Sequence, residues 1–132
     1  MFKVKVLTVG KTKEAWLAEA LAEYEKRLKP KLQIEWRLCK SSAELASDAL
    51  AEPFLLLLDP KGELLTSEQF SQKFLRLIEE RGSRLSIVIG GAEGLPPEIG
   101  KRPHVKWSFS PLTFTHQMMR LLLAEQIYRA LE

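Results

Sequence analysis

The chain predicts an α/β fold, a mainly parallel sheet with helices on both faces, in one domain spanning residues 1–132. Three observations carry this. Apolar segments of strand character alternate with segments of helical spacing along the whole length, the order that builds parallel sheets. One run, Phe54 to Leu58, is uninterrupted, as expected of a strand covered on both faces. The last segment is apolar nearly all round, which implies burial on more than one side.

Each element has its own warrant. Phe2 to Val9 alternates apolar with polar or basic residues and reads as a first strand, closed by Gly10. Residues 13–28 then carry Trp16, Leu17, Ala20, Leu21, Tyr24 and Leu28 at helical spacing, with Glu23/Arg27 and Glu25/Lys29 as i,i+4 pairs. Leu32 to Leu38 alternates again. Ser41 or Ser42 can cap a short helix through about Leu50. The Phe54–Leu58 run ends in Asp59, Pro60, Lys61 and Gly62. Ser67 and Glu68 open another helix with Phe70, Phe74, Leu75 and Ile78 as its buried stripe, and Gly82 marks its end. Leu85 to Ile89 is a fourth strand and Val105 to Phe109 a fifth. Thr115 caps a final helix that runs to the terminus.

Composition narrows the function classes. A hydrophobic share of 45% and a charged share of 28% fit a soluble globular protein and exclude a disordered chain. The single cysteine, Cys39, excludes an internal disulfide and a multi-cysteine metal site; it reads as a small hydrophobe in a strand. No apolar run is long enough to cross a bilayer, and residues 1–6 alternate instead of forming a signal segment. A cytoplasmic protein with no membrane and no metal partner is the expectation. Charge is uneven: residues 1–40 hold ten Lys/Arg against five Asp/Glu, and residues 41–132 ten against twelve. A basic N-terminal third fits an RNA partner, and equally a solvated helix face.

Two late segments are the candidate ligand mouth. Gly90, Gly91 and Gly94 directly follow a buried strand and let the backbone approach a ligand closely; a plain strand-to-helix turn is the alternative. The spacing is neither a dinucleotide fingerprint nor a P-loop. Pro96 and Pro97 stop a long helix from starting there. Phe109, Ser110, Pro111, Leu112, Thr113 and Phe114 form a second loop, able to grip an adenine through main-chain bonds between apolar side chains. Ser108 and Ser110 lack a nucleophile elbow and read as structural. His116, at the start of the last helix, can cap, pack or face a substrate. Asp59 either meets a ligand or ends its strand. His104, between Arg102-Pro103 and Val105, reads as a surface loop residue. The last helix, with Met118, Met119, Leu121, Leu122, Leu123, Ala124, Ile127, Tyr128, Ala130 and Leu131, needs a second cover, either a twofold partner or deep packing within the chain.

Several of these stretches together resemble one family. Val9-Gly10-Lys11, Tyr24 to Leu28, Leu58-Asp59 with Gly62, Ile89-Gly90-Gly91 through Gly94-Leu95, and Leu112-Thr113-Phe114 with His116 to Arg120 are similar to the RlmH (YbeA-type) methyltransferases of the SPOUT class. The resemblance covers almost the whole chain. It implies a C-terminal trefoil knot, a homodimer, and S-adenosylmethionine as methyl donor. It also implies methylation at N3 of a pseudouridine in 23S ribosomal RNA, free or in the assembled ribosome. By motif it places cofactor contacts at Leu58, Gly90 and Phe109 to Phe114. The chain departs from the family pattern in a shorter 40–53 region and in lacking, after Glu132, the family's short tail with histidine and tyrosine.

Methylating a uracil-like nitrogen requires removal of its proton. His116 is the candidate base, Arg120 the candidate stabiliser of charge on the ring, and Lys3, Lys5, Lys11 and Lys13 the candidate RNA contacts. Two rival readings are a non-catalytic RNA-binding or ribosome-associated dimer and a nucleotide-dependent oxidoreductase fragment.

Overall fold

The alternation folds as its periodicity predicts. The computed structural model describes residues 1–100 and 104–132. In chain order the elements are β1 (Phe2–Val9), α1 (Ala15–Leu28), β2 (Leu32–Cys39), α2 (Ser42–Leu50), β3 (Leu56–Leu64), α3 (Ser67–Glu80), β4 (Arg84–Ile89), α4 (Pro97–Gly100), β5 (Val105–Ser108) and α5 (His116–Ala130). The strands form one sheet in the order β2-β1-β4-β3-β5, and every strand pair is parallel.

Alternate side chains of this sheet feed two apolar layers. Val4, Val6, Leu56, Leu58, Leu85, Ile87 and Ile89 pack with Phe70, Phe74 and Ile78 of α3 and with Leu123 and Ile127 of α5. On the other face Leu7, Leu55, Leu57 and Val88 meet Leu45, Ala46 and Ala49 of α2 and Ile99 of α4. Helices therefore cover both faces. Leu17 and Leu21 of α1 join Ala124 of α5 in a third cluster, so α1 rests on α5.

Local signals set the helix starts. Ser41 accepts from the Glu44 N–H, and Thr115 accepts from the Met118 N–H, as their sequence positions predict. The cap of α3 is Thr66, one residue before the predicted start, in a reciprocal capping box with Gln69. The Glu23–Arg27 pair forms at 2.9 Å on the exposed side of α1.

The structure corrects the sequence reading in four places. Trp16 is not in the buried stripe of α1; it is 54% exposed. A four-residue helix, α4, follows Pro96, because proline is tolerated in a first turn although it blocks a longer run. β5 ends at Ser108, one residue early. The chain also does not leave the sheet at Asp59: β3 bulges between Leu58 and Glu63 and rejoins β5 at Trp107. Gly62 makes that return possible. A Cβ there would lie 2.7–2.8 Å from backbone atoms of Lys106 and Trp107. His104 is half-buried ahead of β5, while its neighbours Arg102 and Pro103 lie outside the described residues.

Candidate active site

The C-ends of β3, β4 and β5 open onto one cleft of about 770 Å³. This size lies within the roughly 300–1,000 Å³ of small-molecule sites, and the position is the one open α/β sheets use for ligands. The glycine turn after β4 makes one wall, with Gly90, Gly91, Gly94 and Leu95. The turn is tight: the Gly94 N–H donates to the Gly91 carbonyl at 2.9 Å. A Cβ on Gly90 would stand 2.6 Å from the Gly94 carbonyl carbon and 2.7 Å from the Leu95 nitrogen, so only glycine fits.

The loop after β5 makes the facing wall. Phe109, Ser110, Leu112, Thr113 and Phe114 line the cleft; Pro111 does not. Its shape comes from its serines. Ser108 Oγ donates to the Ser110 carbonyl (2.9 Å) and accepts from the Ser110 N–H (3.2 Å), and Ser110 Oγ accepts from the Leu112 N–H (2.9 Å). Both hydroxyls are spent on the loop, which is the structural role their sequence context predicts. Phe109 meets Phe70 of α3 edge-on, with ring centroids 5.4 Å apart, anchoring the loop to the core. Leu112 and Phe114, 69% and 40% exposed, turn apolar surface toward the cleft, and Trp16 does the same from α1. Apolar surface gathered at a concave mouth is the pattern of a binding site.

Leu58 lies on the cleft floor, with Asp59 beside it. Asp59 both lines the cleft and shapes the bulge: its Oδ1 accepts from the Lys61 N–H at 3.0 Å, and Lys106 Nζ stands 4.0 Å from its Oδ2. His116, the first residue of α5, is half-buried in the cleft wall. Burial first, then the positive charges of Arg120 and Lys13, hold its imidazole below its ordinary value, so the neutral, proton-accepting form is favoured.

Arg120 is one turn further along α5 but does not line the cleft. It is fully buried, and its guanidinium donates to Val9 O (2.9 Å), Gly10 O (2.8 Å) and Thr12 Oγ1 (3.0 Å). Those bonds tie α5 to the end of β1, in place of the substrate-facing role expected for it. Gln117, part of the His116 to Arg120 motif but given no role by sequence reasoning, grips the same β1–α1 loop: its carboxamide donates to Lys11 O (2.9 Å) and accepts from the Lys13 N–H (3.2 Å).

The four candidate RNA lysines divide. Lys13 lines the cleft and Lys11 is exposed beside it. Lys3 and Lys5 stand in the N-terminal half of β1, about 20 Å and about 13 Å from its C-end at the strand rise of about 3.3 Å per residue. There they border a second, polar groove with Arg84 and Ser86, and Lys5 pairs with Glu52 at 3.1 Å.

Away from the cleft, Cys39 is buried, and its thiol is pushed up to about 11, mainly by burial and then by Asp48. Among the described residues, Cys39, Glu44 and Asp48 bring ligand-type atoms within 4.8 Å of one another. Arg37 already bridges the two carboxylates, 2.8 Å from Asp48 and 3.6 Å from Glu44. No helix among the described residues is long and apolar enough to cross a membrane.

Comparison with known proteins agrees with this architecture. A family model described as "Predicted SPOUT methyltransferase" matches residues 2–132. A Protochlamydia amoebophila protein named ribosomal RNA large subunit methyltransferase H is 54% identical over 132 residues, covering 100% of this chain and 94% of its own. Its namesake from Desulforamulus reducens is 39% identical over 148 residues, covering 98% of this chain and 92% of its own. Among solved structures, a probable methylase family protein from Haemophilus influenzae superposes with a TM-score of 0.60 at 11% identity, over 96% of this chain and 65% of that one. A putative methyltransferase from Legionella pneumophila, solved with bound S-adenosylmethionine, does so at 0.53 and 12% identity, over 98% and 66%. The fold, the placement of its cleft and a match along nearly its whole length lead to one conclusion: the chain belongs to the SPOUT methyltransferase family.

Proposed function

We propose that this protein is an S-adenosylmethionine-dependent methyltransferase of 23S ribosomal RNA, acting in the cytoplasm on N3 of a pseudouridine. The carrying observation is the convergence of the Gly90 turn and the 109–114 loop on one cleft with His116 in its wall. The names of the full-length relatives supply the RNA substrate class.

The residues fit the cofactor. Leu58, Gly90 and the loop Phe109 to Phe114 would hold it, through close backbone approach on one side and the apolar surfaces of Leu112 and Phe114 on the other. S-adenosylmethionine, when bound, supplies an electrophilic methyl group on a sulfonium. The protein's part is orientation and proton removal. Holding the reacting groups in line contributes up to about 7–11 kcal/mol of barrier lowering in well-oriented cases. His116, whose imidazole is held toward its neutral form, would accept the N3 proton and so present the ring nitrogen as a nucleophile. Arg120 acts structurally, and Lys11 and Lys13 meet RNA phosphates at the cleft mouth.

In this reading residues 1–132 act as a single SPOUT-like domain with a C-terminal trefoil knot, and the working unit is a homodimer. Support for the dimer comes from α5: Leu122 stays partly exposed and belongs to none of the chain's apolar clusters, and Met118, one turn earlier, is partly exposed at the cleft wall. The test is transfer of tritiated methyl groups from S-adenosylmethionine to assembled ribosomes and to free 23S RNA. Incorporation supports the proposal. Cofactor binding without transfer to either supports the alternative, a ribosome-associated binding protein on a methyltransferase fold.

A further inference from the structure

We propose that Gln117 is a positioning residue for the RNA substrate, holding the β1–α1 loop so that Lys13 is presented at the cleft wall beside His116. The inference deepens the rRNA methyltransferase reading and rests on it.

The loop between Val9 and Ala15 has little to fix it from within. Glu14, at the N-cap of α1, makes no side-chain capping bond, so the helix start does not set the loop's path. Besides the Gly10 N–H bond to the Cys39 carbonyl (2.8 Å), the hold comes from α5, more than a hundred residues away in sequence, in two parts. Arg120 secures the inner half from the core, through Val9 O, Gly10 O and Thr12 Oγ1. Gln117 secures the outer half. Its carboxamide pairs with Lys11 O and the Lys13 N–H as a neighbouring strand would, and so sets where both lysines emerge.

The two halves differ in what they can be for. The Arg120 bonds are part-buried and come from a side chain that is itself fully buried, so losing them unpairs backbone carbonyls and empties a packed site. The Gln117 bonds are exposed, so water can replace them and the fold gains little from them. What they do supply is a fixed location for Lys11 and Lys13, both exposed and, among the described residues, in no ion pair. The same side chain reaches the catalytic wall: Gln117 Nε2 lies 3.4 Å from His116 Nε2. One carboxamide thus links the candidate base to the cations that would bring an RNA phosphate next to it.

The test is a double-mutant cycle read by salt dependence. Binding to 23S RNA is measured from 50 to 200 mM salt for the wild type, Gln117→Met, Lys13→Ala and the double variant, with thermal melting as the control for an intact fold. The expected result is an RNA affinity lowered roughly 2- to 10-fold in Gln117→Met. The log–log salt slope should be shallower by about 0.7–0.9, as for Lys13→Ala. Melting temperatures should stay close to wild type, and the double variant should lose less than the sum of the two single losses. Should Gln117→Met not fold, Gln117→Asn, which keeps the amide but shortens its reach, enters the same cycle. An unchanged slope, or additive losses in the double variant, overturns the positioning role while leaving the enzyme reading intact. A wild type that neither binds 23S RNA nor methylates ribosomes overturns both.

Discussion

Replacing Gly90 by alanine is the sharpest local perturbation the cleft allows. The added methyl would stand 2.6 Å from the Gly94 carbonyl carbon, 2.7 Å from the Leu95 nitrogen and 2.8 Å from the Gly94 oxygen. All three are backbone atoms, so no side chain can swing aside and the turn itself must open. Overpacking of this kind typically costs about 1–3 kcal/mol. If the strain is relieved by moving the turn out of the cleft wall, the same energy appears as roughly 5- to 150-fold weaker cofactor binding. Gly100→Ala is the matched control, since a Cβ there meets nothing within 4 Å and the residue does not line the cleft. Calorimetric titration with S-adenosylmethionine, alongside thermal melting of each variant, separates binding loss from unfolding. A Gly90→Ala protein that binds the cofactor within twofold of wild type would refute the assignment of this turn to the cofactor site.

The remaining predictions concern α5 and the basic loop. Arg120→Met unpairs the half-buried Val9 and Gly10 carbonyls, at about 1–3 kcal/mol in all, and lowers the melting temperature by several degrees; wild-type melting would contradict the anchoring role. His116 is held below its ordinary value of 6.5, so between the lowered and the ordinary value the unfolded chain binds more protons than the folded one. Its contribution to stability is therefore present at neutral pH and is lost as pH falls through 6.5 toward the lowered value. Melting curves from pH 8 to 5 should converge between wild type and His116→Gln as the acid end is approached, and parallel curves would count against the shift. Lys11→Ala with Lys13→Ala should weaken 23S RNA binding more than Lys3→Ala with Lys5→Ala, because Lys13 lines the cleft with Lys11 two residues before it, while Lys3 and Lys5 line the separate groove. Equal losses in filter binding would move the RNA surface elsewhere.

Much of the fold was legible because its signals are local. Strand alternation, the uninterrupted Phe54–Leu58 run and the serine and threonine caps each act within a few residues, and the elements they predict are present with shifts of one or two positions, except that β3 runs on to Leu64. What escaped depends on contacts distant in sequence. Asp59 to Gly62 has the composition of a turn, and only the close passage of Lys106 and Trp107 explains why the strand resumes at Glu63. Helical spacing brings Trp16 near the buried stripe of α1, yet its ring lies where the sheet's C-ends open the cleft. The same holds at the site. The glycines and the 109–114 loop announce themselves by composition. The roles of Arg120 and Gln117 are set by partners 104–111 residues away, which no local pattern encodes. Arginine in a helix read as a ligand-facing charge proves to be a buried strut.

The central claim is that this cleft delivers a methyl group to a pseudouridine of 23S RNA. Nucleoside mass spectrometry tests it most directly, on ribosomes lacking the modification incubated with the protein and S-adenosylmethionine carrying a deuterated methyl group. The account predicts one labelled nucleoside from the large subunit, a pseudouridine bearing the heavy methyl at N3, and its loss in Gly90→Ala. Heavy methyl on any other nucleoside, or none in RNA while the cofactor is bound, would contradict it.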